Sequence, residues 1–103
     1  MTLDEYRLEL FERLKRCSGS AAARDLIAEG NLVLAQSDLE EPTMQTFWLA
    51  LRIDLLRLAE DAAVLAEAEP RARLVSIIAA ARAAIVDQQM MRSVLQARRG
   101  LTS

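Results

Sequence analysis

Apolar residues recur every three or four positions along most of the chain, which is the periodicity of α-helices that pack one face against a core. Thr2 and Glu5 form a capping-box pattern, so the first helix is predicted to begin immediately after Thr2. Ser18, Gly19 and Ser20 end this helix and supply a cap for the next one. The first helix is therefore predicted at about 3–17, with an apolar face made of Leu3, Tyr6, Leu10, Leu14 and Cys17.

A polar connection separates the second predicted helix from the third. The second helix is predicted at about 21–36 and contains Gly30, which costs about 1 kcal/mol relative to Ala inside a helix. Gly30 therefore marks either a close approach between two helices or a point at which the helix frays. Residues 37–43 include Pro42 and are predicted to form a loop. The third helix is predicted at about 43–68, because Pro70 pushes the residue before it out of the helical region.

The fourth predicted helix covers about 70–99, with Pro70 in its first turn. The alternative is one kinked helix from 43 to 99, but a compact domain favours a tight turn near Pro70. The sequence thus predicts a single all-α domain over residues 1–103. Its expected architecture is a four-helix bundle, with two short and two long helices built from two antiparallel helical hairpins.

The unequal helix lengths predict an uncovered apolar surface. At 1.5 Å per residue the first two helices are about 24 Å long, and the last two are about 39–45 Å long. A short hairpin cannot cover a long one, so part of the apolar surface of the long hairpin stays exposed in a monomer. Exposed apolar surface of this extent is typical of an interface.

A change of face within the fourth helix supports the same interpretation. Its apolar stripe runs through Ile85 and should continue through Arg92, but the next apolar residues are displaced by about 100° around the helix. Two-fold self-association explains both features, and a different protein partner or a covered monomer are the alternatives. Phe47 and Trp48 point about 100° apart around the helix, so one is expected in the core and the other at an edge or an interface. Trp is enriched at binding hot spots, so Trp48 is the one expected at the interface. The predicted interface consists of Trp48, Met90, Met91, Val94 and Leu95.

Composition argues against most catalytic chemistry. The chain has no His and one Cys, which removes His-dependent triads, the commonest general base and a structural zinc site. We therefore expect no enzyme, no cofactor, no metal and no small-molecule substrate. The single Cys fits a reducing compartment, and the acidic N-terminus lacks the basic region of a signal peptide. No uninterrupted run approaches about 18 apolar residues, so we expect a soluble cytoplasmic protein that does not bind membranes.

The charges are distributed unevenly along the chain. The net charge is −2, but residues 70–103 contain six Arg and one Asp, whereas the preceding residues are strongly acidic. A basic stripe on the fourth helix contains Arg71, Arg82, Arg92 and Arg99. Such a stripe can meet phosphates, or it can pair with acidic residues of the other helices, and we expect Asp54 to pair with an Arg of the fourth helix.

Pairing within the protein is the preferred interpretation of the arginines, so nucleic acid is not an expected partner. The leading hypothesis is a non-enzymatic protein-interaction module, of the adaptor or chaperone-like kind. It would form a homodimer or bind another protein through the long C-terminal hairpin. The alternative is a regulatory or nucleic-acid-associated helical protein that uses the Arg-rich last helix.

Overall fold

Four helices and no strands make up the described part of the chain. The computed structural model describes the backbone of residues 1–102, and the side chains of these residues except 96 and 99–102. The helices are α1 (Leu3–Lys15), α2 (Ser20–Ala35), α3 (Glu41–Ala63) and α4 (Ala68–Thr102). The all-α class that the apolar periodicity predicts is confirmed, and the helices form a bundle around one core.

The two proline residues lie in the first turns of the two long helices. The predicted cap of α1 is confirmed, since the Thr2 hydroxyl accepts a hydrogen bond of 3.1 Å from the Glu5 amide. The predicted loop at 37–43 is too long, because α3 already begins at Glu41 with Pro42 in its first turn. Proline is compatible with that position, where its missing N–H has no partner to lose.

The turn between α3 and α4 lies earlier than Pro70. α3 ends at Ala63, five residues before the predicted end, and the Val64 and Leu65 amides close its last turn with bonds of 3.3 and 3.2 Å. α4 then begins at Ala68, so that Pro70 again falls within a first turn. The prediction from the sequence placed the end of α3 next to Pro70. Proline is also tolerated in the first turn of a helix, and there it does not mark the end of the preceding helix.

Gly30 marks a close approach between helices. The helix continues through Gly30, and a Cβ atom added there would lie 3.2 Å from both Leu10 Cδ2 and Trp48 Cη2. The close-approach interpretation is therefore confirmed, and the fraying interpretation is wrong. The core around this contact contains buried side chains from all four helices, which include Leu10, Leu14, Ile27, Leu34, Trp48, Leu51, Leu55, Ile77 and Ile85.

Asp54 pairs with α1 and not with α4. Its carboxylate accepts a 3.0 Å hydrogen bond from Arg7, and the two side chains are 19% and 21% exposed. Asp54 is thus partly buried and paired with an arginine, but the predicted partner on the fourth helix is wrong. At 100° per residue, Asp54 lies about 140° around α3 from Glu41, which is the residue that contacts Arg92 of α4. α1 and α4 therefore pack on different sides of α3.

This ion pair gives a direct test of the α1–α3 contact. Asp54→Asn leaves a partly buried guanidinium without its carboxylate, and should lower the free energy of unfolding by about 1–3 kcal/mol. Asp4 is a matched control, since it contacts the same Arg7 at 3.8 Å but is 88% exposed. Asp4→Asn should change the stability by less than about 0.5 kcal/mol. Urea unfolding followed by circular dichroism checks both values, and equal losses would contradict the burial argument.

α4 is much longer than its neighbours. Its 35 residues span about 52 Å, close to the 55 Å long axis of the molecule. Within the described residues, Ala68–Leu95 is the one segment long and apolar enough to cross a membrane, and an 18-residue window within it has a mean hydropathy of 1.3. This segment is not the uninterrupted run sought in the sequence, since it contains Arg82 and Asp87. Long core helices of soluble proteins meet the same criterion, so this segment alone does not distinguish a membrane-spanning protein from a soluble one.

Candidate interaction surface

Trp48 belongs to the core and not to the surface. It is 0% exposed, and its neighbour Phe47 is only 5% exposed, so the expectation that one of this pair lies at an edge is wrong. The Trp48 ring occupies the space that Gly30 leaves open, and it packs edge-to-face on Phe47 with 5.1 Å between ring centroids. Trp48 cannot contact a partner in this structure, and we remove it from the predicted interface.

The other four predicted interface residues are exposed together near the end of α4. We call them the distal α4 patch. Their exposed fractions lie between 46% and 63%, for side chains that pack well when buried. The patch consists of Met90, Met91, Val94 and Leu95.

The distal α4 patch is exposed because α4 extends beyond the helices that pack against it. Arg92 Nε lies 3.6 Å from Glu41 Oε1, and Glu41 is the first residue of α3. The part of α4 after Arg92 therefore extends past the start of α3, by about 15 Å for ten residues. Ser93 and every later residue whose side chain is described are exposed.

A second exposed apolar row lies on α3, and the sequence analysis did not assign it to the interface. Leu49, Ile53 and Leu56 are 54%, 42% and 45% exposed. They follow one another at spacings of four and three residues, so they share one side of the helix. Exposed Gln45 and Glu60 continue this spacing at either end. We call these five residues the α3 outer face, and their periodicity is the signal that could have identified them.

The α3 outer face adjoins α4 at a small pocket that contains Arg92. This Arg92 pocket has a volume of about 220 Å³ and is lined by Glu41, Gln45, Leu49, Gln89, Arg92 and Ser93. The Arg92 side chain is 16% exposed, and its three guanidinium nitrogens are buried without a hydrogen-bond partner. A guanidinium carries five N–H donors, and leaving such donors buried and unpaired is costly. Arg92 beside this pocket therefore has donors that no acceptor of its own protomer satisfies.

The predicted basic stripe is not one continuous exposed surface. Arg92 is mostly buried beside Glu41, and Arg71 donates a hydrogen bond of 3.2 Å to the Leu65 carbonyl across the α3–α4 turn. Arg82 is half-buried. The side chain of Arg99 lies outside the described residues. Arg71 and Arg92 therefore contact residues of their own chain and do not form one exposed stripe with Arg82.

The nucleophilic side chains are not activated. Burial raises the pKa of the Cys17 thiol, which donates a 3.4 Å hydrogen bond to the Arg13 carbonyl. Burial also raises the pKa of Tyr6, and the nearby Glu29 carboxylate acts in the same direction. Both shifts favour the protonated form, whereas a nucleophilic thiol needs a lowered pKa. An open surface depression of about 600 Å³ lies beside Cys17, between α1 and α2.

The surface is thus defined by exposed apolar side chains and by one buried guanidinium beside them.

Among the residues that the structure describes, no three His, Cys, Asp or Glu side chains come close enough to hold a metal ion. Comparison with known proteins gives no relative: no protein-family model, no curated protein and no solved structure matches the chain.

Proposed function

We propose that the chain is a non-enzymatic protein-interaction module, of the adaptor or chaperone-like kind, that binds a protein through its long helices α3 and α4. The observation that carries this proposal is the distal α4 patch, in which four neighbouring apolar side chains are each about half exposed. Full burial of such a side chain is worth about 1.5–3 kcal/mol, so the half that remains exposed is worth roughly 1 kcal/mol for each residue. Covering the patch would supply several kcal/mol of association free energy.

The proposal includes the arrangement of the four helices as two antiparallel hairpins. Glu41 and Arg92 lie at similar sequence distances from the α3–α4 turn, and their contact supports this arrangement for the long hairpin. The contact of Arg13 with Glu29 joins α1 to α2. In this arrangement the long hairpin presents both the distal α4 patch and the α3 outer face.

The charge distribution favours a second copy of the chain as the partner. The residues before Pro70 carry a net charge of −7, and those from Pro70 onward carry +5. Two copies that pair through their long hairpins in opposite directions bring basic segments of one copy towards acidic segments of the other. Such complementarity orients the partners and disfavours incorrect ones.

A pair of matched variants tests self-association. Val94→Asp places a charge in the distal α4 patch, and we expect it to convert a dimer into a monomer at micromolar concentration while the helicity is retained. Val33→Asp is the control, because Val33 is also exposed, at 39% against 48%, but lies on α2 and does not belong to the distal α4 patch. Light scattering after size-exclusion chromatography measures the mass, and circular dichroism measures helicity.

The expected result is a concentration-dependent dimer for the wild type and for Val33→Asp, and a monomer for Val94→Asp. A wild-type protein that stays monomeric up to millimolar concentration would contradict self-association. An unchanged dimer in Val94→Asp would show that the distal α4 patch does not form the interface.

A further inference from the structure

We infer that the second copy covers the α3 outer face, with the two α3 helices packed antiparallel around a two-fold axis between residues 52 and 53. The inference rests on the proposed self-association and adds its geometry. Three observations carry it: the spacing of the α3 outer face, the unused donors of Arg92, and the positions of the remaining exposed apolar side chains.

The spacing of the α3 outer face is symmetric about its own centre. In two antiparallel helices related by a two-fold axis, residues at equal distances from the axis face each other. With the axis between residues 52 and 53, Leu49 faces Leu56 of the other copy, and Ile53 lies next to the axis. Gln45 then faces Glu60 of the other copy. At 100° per residue all five residues lie within about 80° around the helix, so one partner helix can cover them.

The two ends of the α3 outer face are chemically complementary. Gln45 lines the Arg92 pocket, so the symmetric pairing brings Glu60 of the second copy to the entrance of that pocket. Glu60 is exposed, and it forms no ion pair with any residue that the structure describes in its own copy. A carboxylate accepts two N–H bonds from a guanidinium, which would satisfy two of the unpaired donors of Arg92. Because of the two-fold symmetry, this contact occurs twice in the dimer.

The same pairing brings together further exposed apolar side chains at the two ends of the long hairpin. Glu41 lies at the start of α3 beside α4, and the symmetry places it opposite Val64 of the second copy. Val64 and Leu65, in the turn after α3, are 83% and 37% exposed. The projecting end of α4 therefore meets the apolar turn of the second copy, which accounts for the exposure of Met90 and Val94 in the single chain.

Cysteine cross-linking tests the position of the axis. In a Cys17→Ala background, Ile53→Cys should form an intermolecular disulfide when treated with a mild oxidant, because the two copies of residue 53 lie within disulfide reach across the axis. Val94→Cys is the matched control, since it is similarly exposed but lies far from its own symmetry mate. Non-reducing electrophoresis should show a covalent dimer for Ile53→Cys only, and a reductant should remove it.

The outcomes separate this inference from the proposed function. A dimeric protein in which Val94→Cys cross-links and Ile53→Cys does not would overturn the α3 pairing, but would leave self-association through the distal α4 patch intact. A wild type that is monomeric by light scattering would overturn both proposals. A covalent dimer confined to Ile53→Cys supports the α3 axis.

A charge reversal tests the contact between Glu60 and the Arg92 pocket. Glu60→Lys should raise the dissociation constant of the dimer by at least about tenfold, because it places a cation beside the unpaired guanidinium. Asp61→Lys is the control: Asp61 is also exposed, but points about 100° away around α3, and its reversal should change the constant by less than about threefold. Equal effects of the two variants would overturn the Glu60 contact. Sedimentation equilibrium measures both constants.

Discussion

Trp48→Ala should lower the free energy of unfolding by about 3–5 kcal/mol, which is a large part of the stability of a domain of this size. The Trp48 side chain is fully buried, and it fills the space between α2 and α3 that Gly30 leaves open. Gly30 has no side chain that could move into the vacated space, so the cavity left by the truncation would persist. Urea unfolding followed by circular dichroism measures the loss.

Leu49→Ala is the matched control for this truncation. Leu49 is the next residue on the same helix but is 54% exposed in the single chain, so its removal should cost less than about 1 kcal/mol when unfolding is measured well below the concentration of association. If Trp48→Ala does not fold, Trp48→Phe gives the same test on a smaller scale. It keeps most of the ring volume and removes a buried indole N–H that has no hydrogen-bond partner. Similar losses for Trp48→Ala and Leu49→Ala would mean that Trp48 is not in the core.

The sequence was sufficient for features that depend on local patterns. The helical class follows from apolar spacing, and the start of α1 follows from Thr2 and Glu5. The boundaries of α3 were less accurate, because Pro42 and Pro70 can either follow a helix or lie in its first turn. Only the neighbouring contacts decide between these positions. For the same reason the predicted ends of α3 differ from the observed ones by two residues at the start and five at the end.

The sequence predicted those parts of the candidate surface that follow from residue spacing within one helix. It did not predict the parts that follow from how two helices pack together. The displaced stripe of α4 lies within one helix, and its side chains are exposed as the pattern suggested. Trp48 was assigned to the interface from the general preference of binding sites for Trp, but its burial depends on Gly30 in another helix. The partner of Asp54 likewise depends on which side of α3 receives α1. No spacing within α3 contains that information.

Replacement of Arg92 is expected to have opposite effects on the stability of the single chain and on its association with a second copy. Its guanidinium nitrogens are buried without hydrogen-bond partners, so replacing it by an apolar side chain of similar length removes a desolvation cost. Glu41, its nearest carboxylate, is 33% exposed and lies in the first turn of α3. There the positive end of the helix dipole stabilises a carboxylate, so Glu41 does not become a stranded buried charge.

Arg92→Met should therefore raise the free energy of unfolding of the single chain by about 1–3 kcal/mol, measured by urea unfolding at a concentration well below that of association. Arg57→Met is the control, since Arg57 is exposed on α3 and its replacement should change stability by less than about 0.5 kcal/mol. If Arg92 donates hydrogen bonds to Glu60 of a second copy, the same variant should weaken the dimer while stabilising the protomer. A loss of stability would instead mean that the contact with Glu41 stabilises the single chain. Binding to a partner explains a residue that lowers the stability of the fold only when its removal makes the single chain more stable.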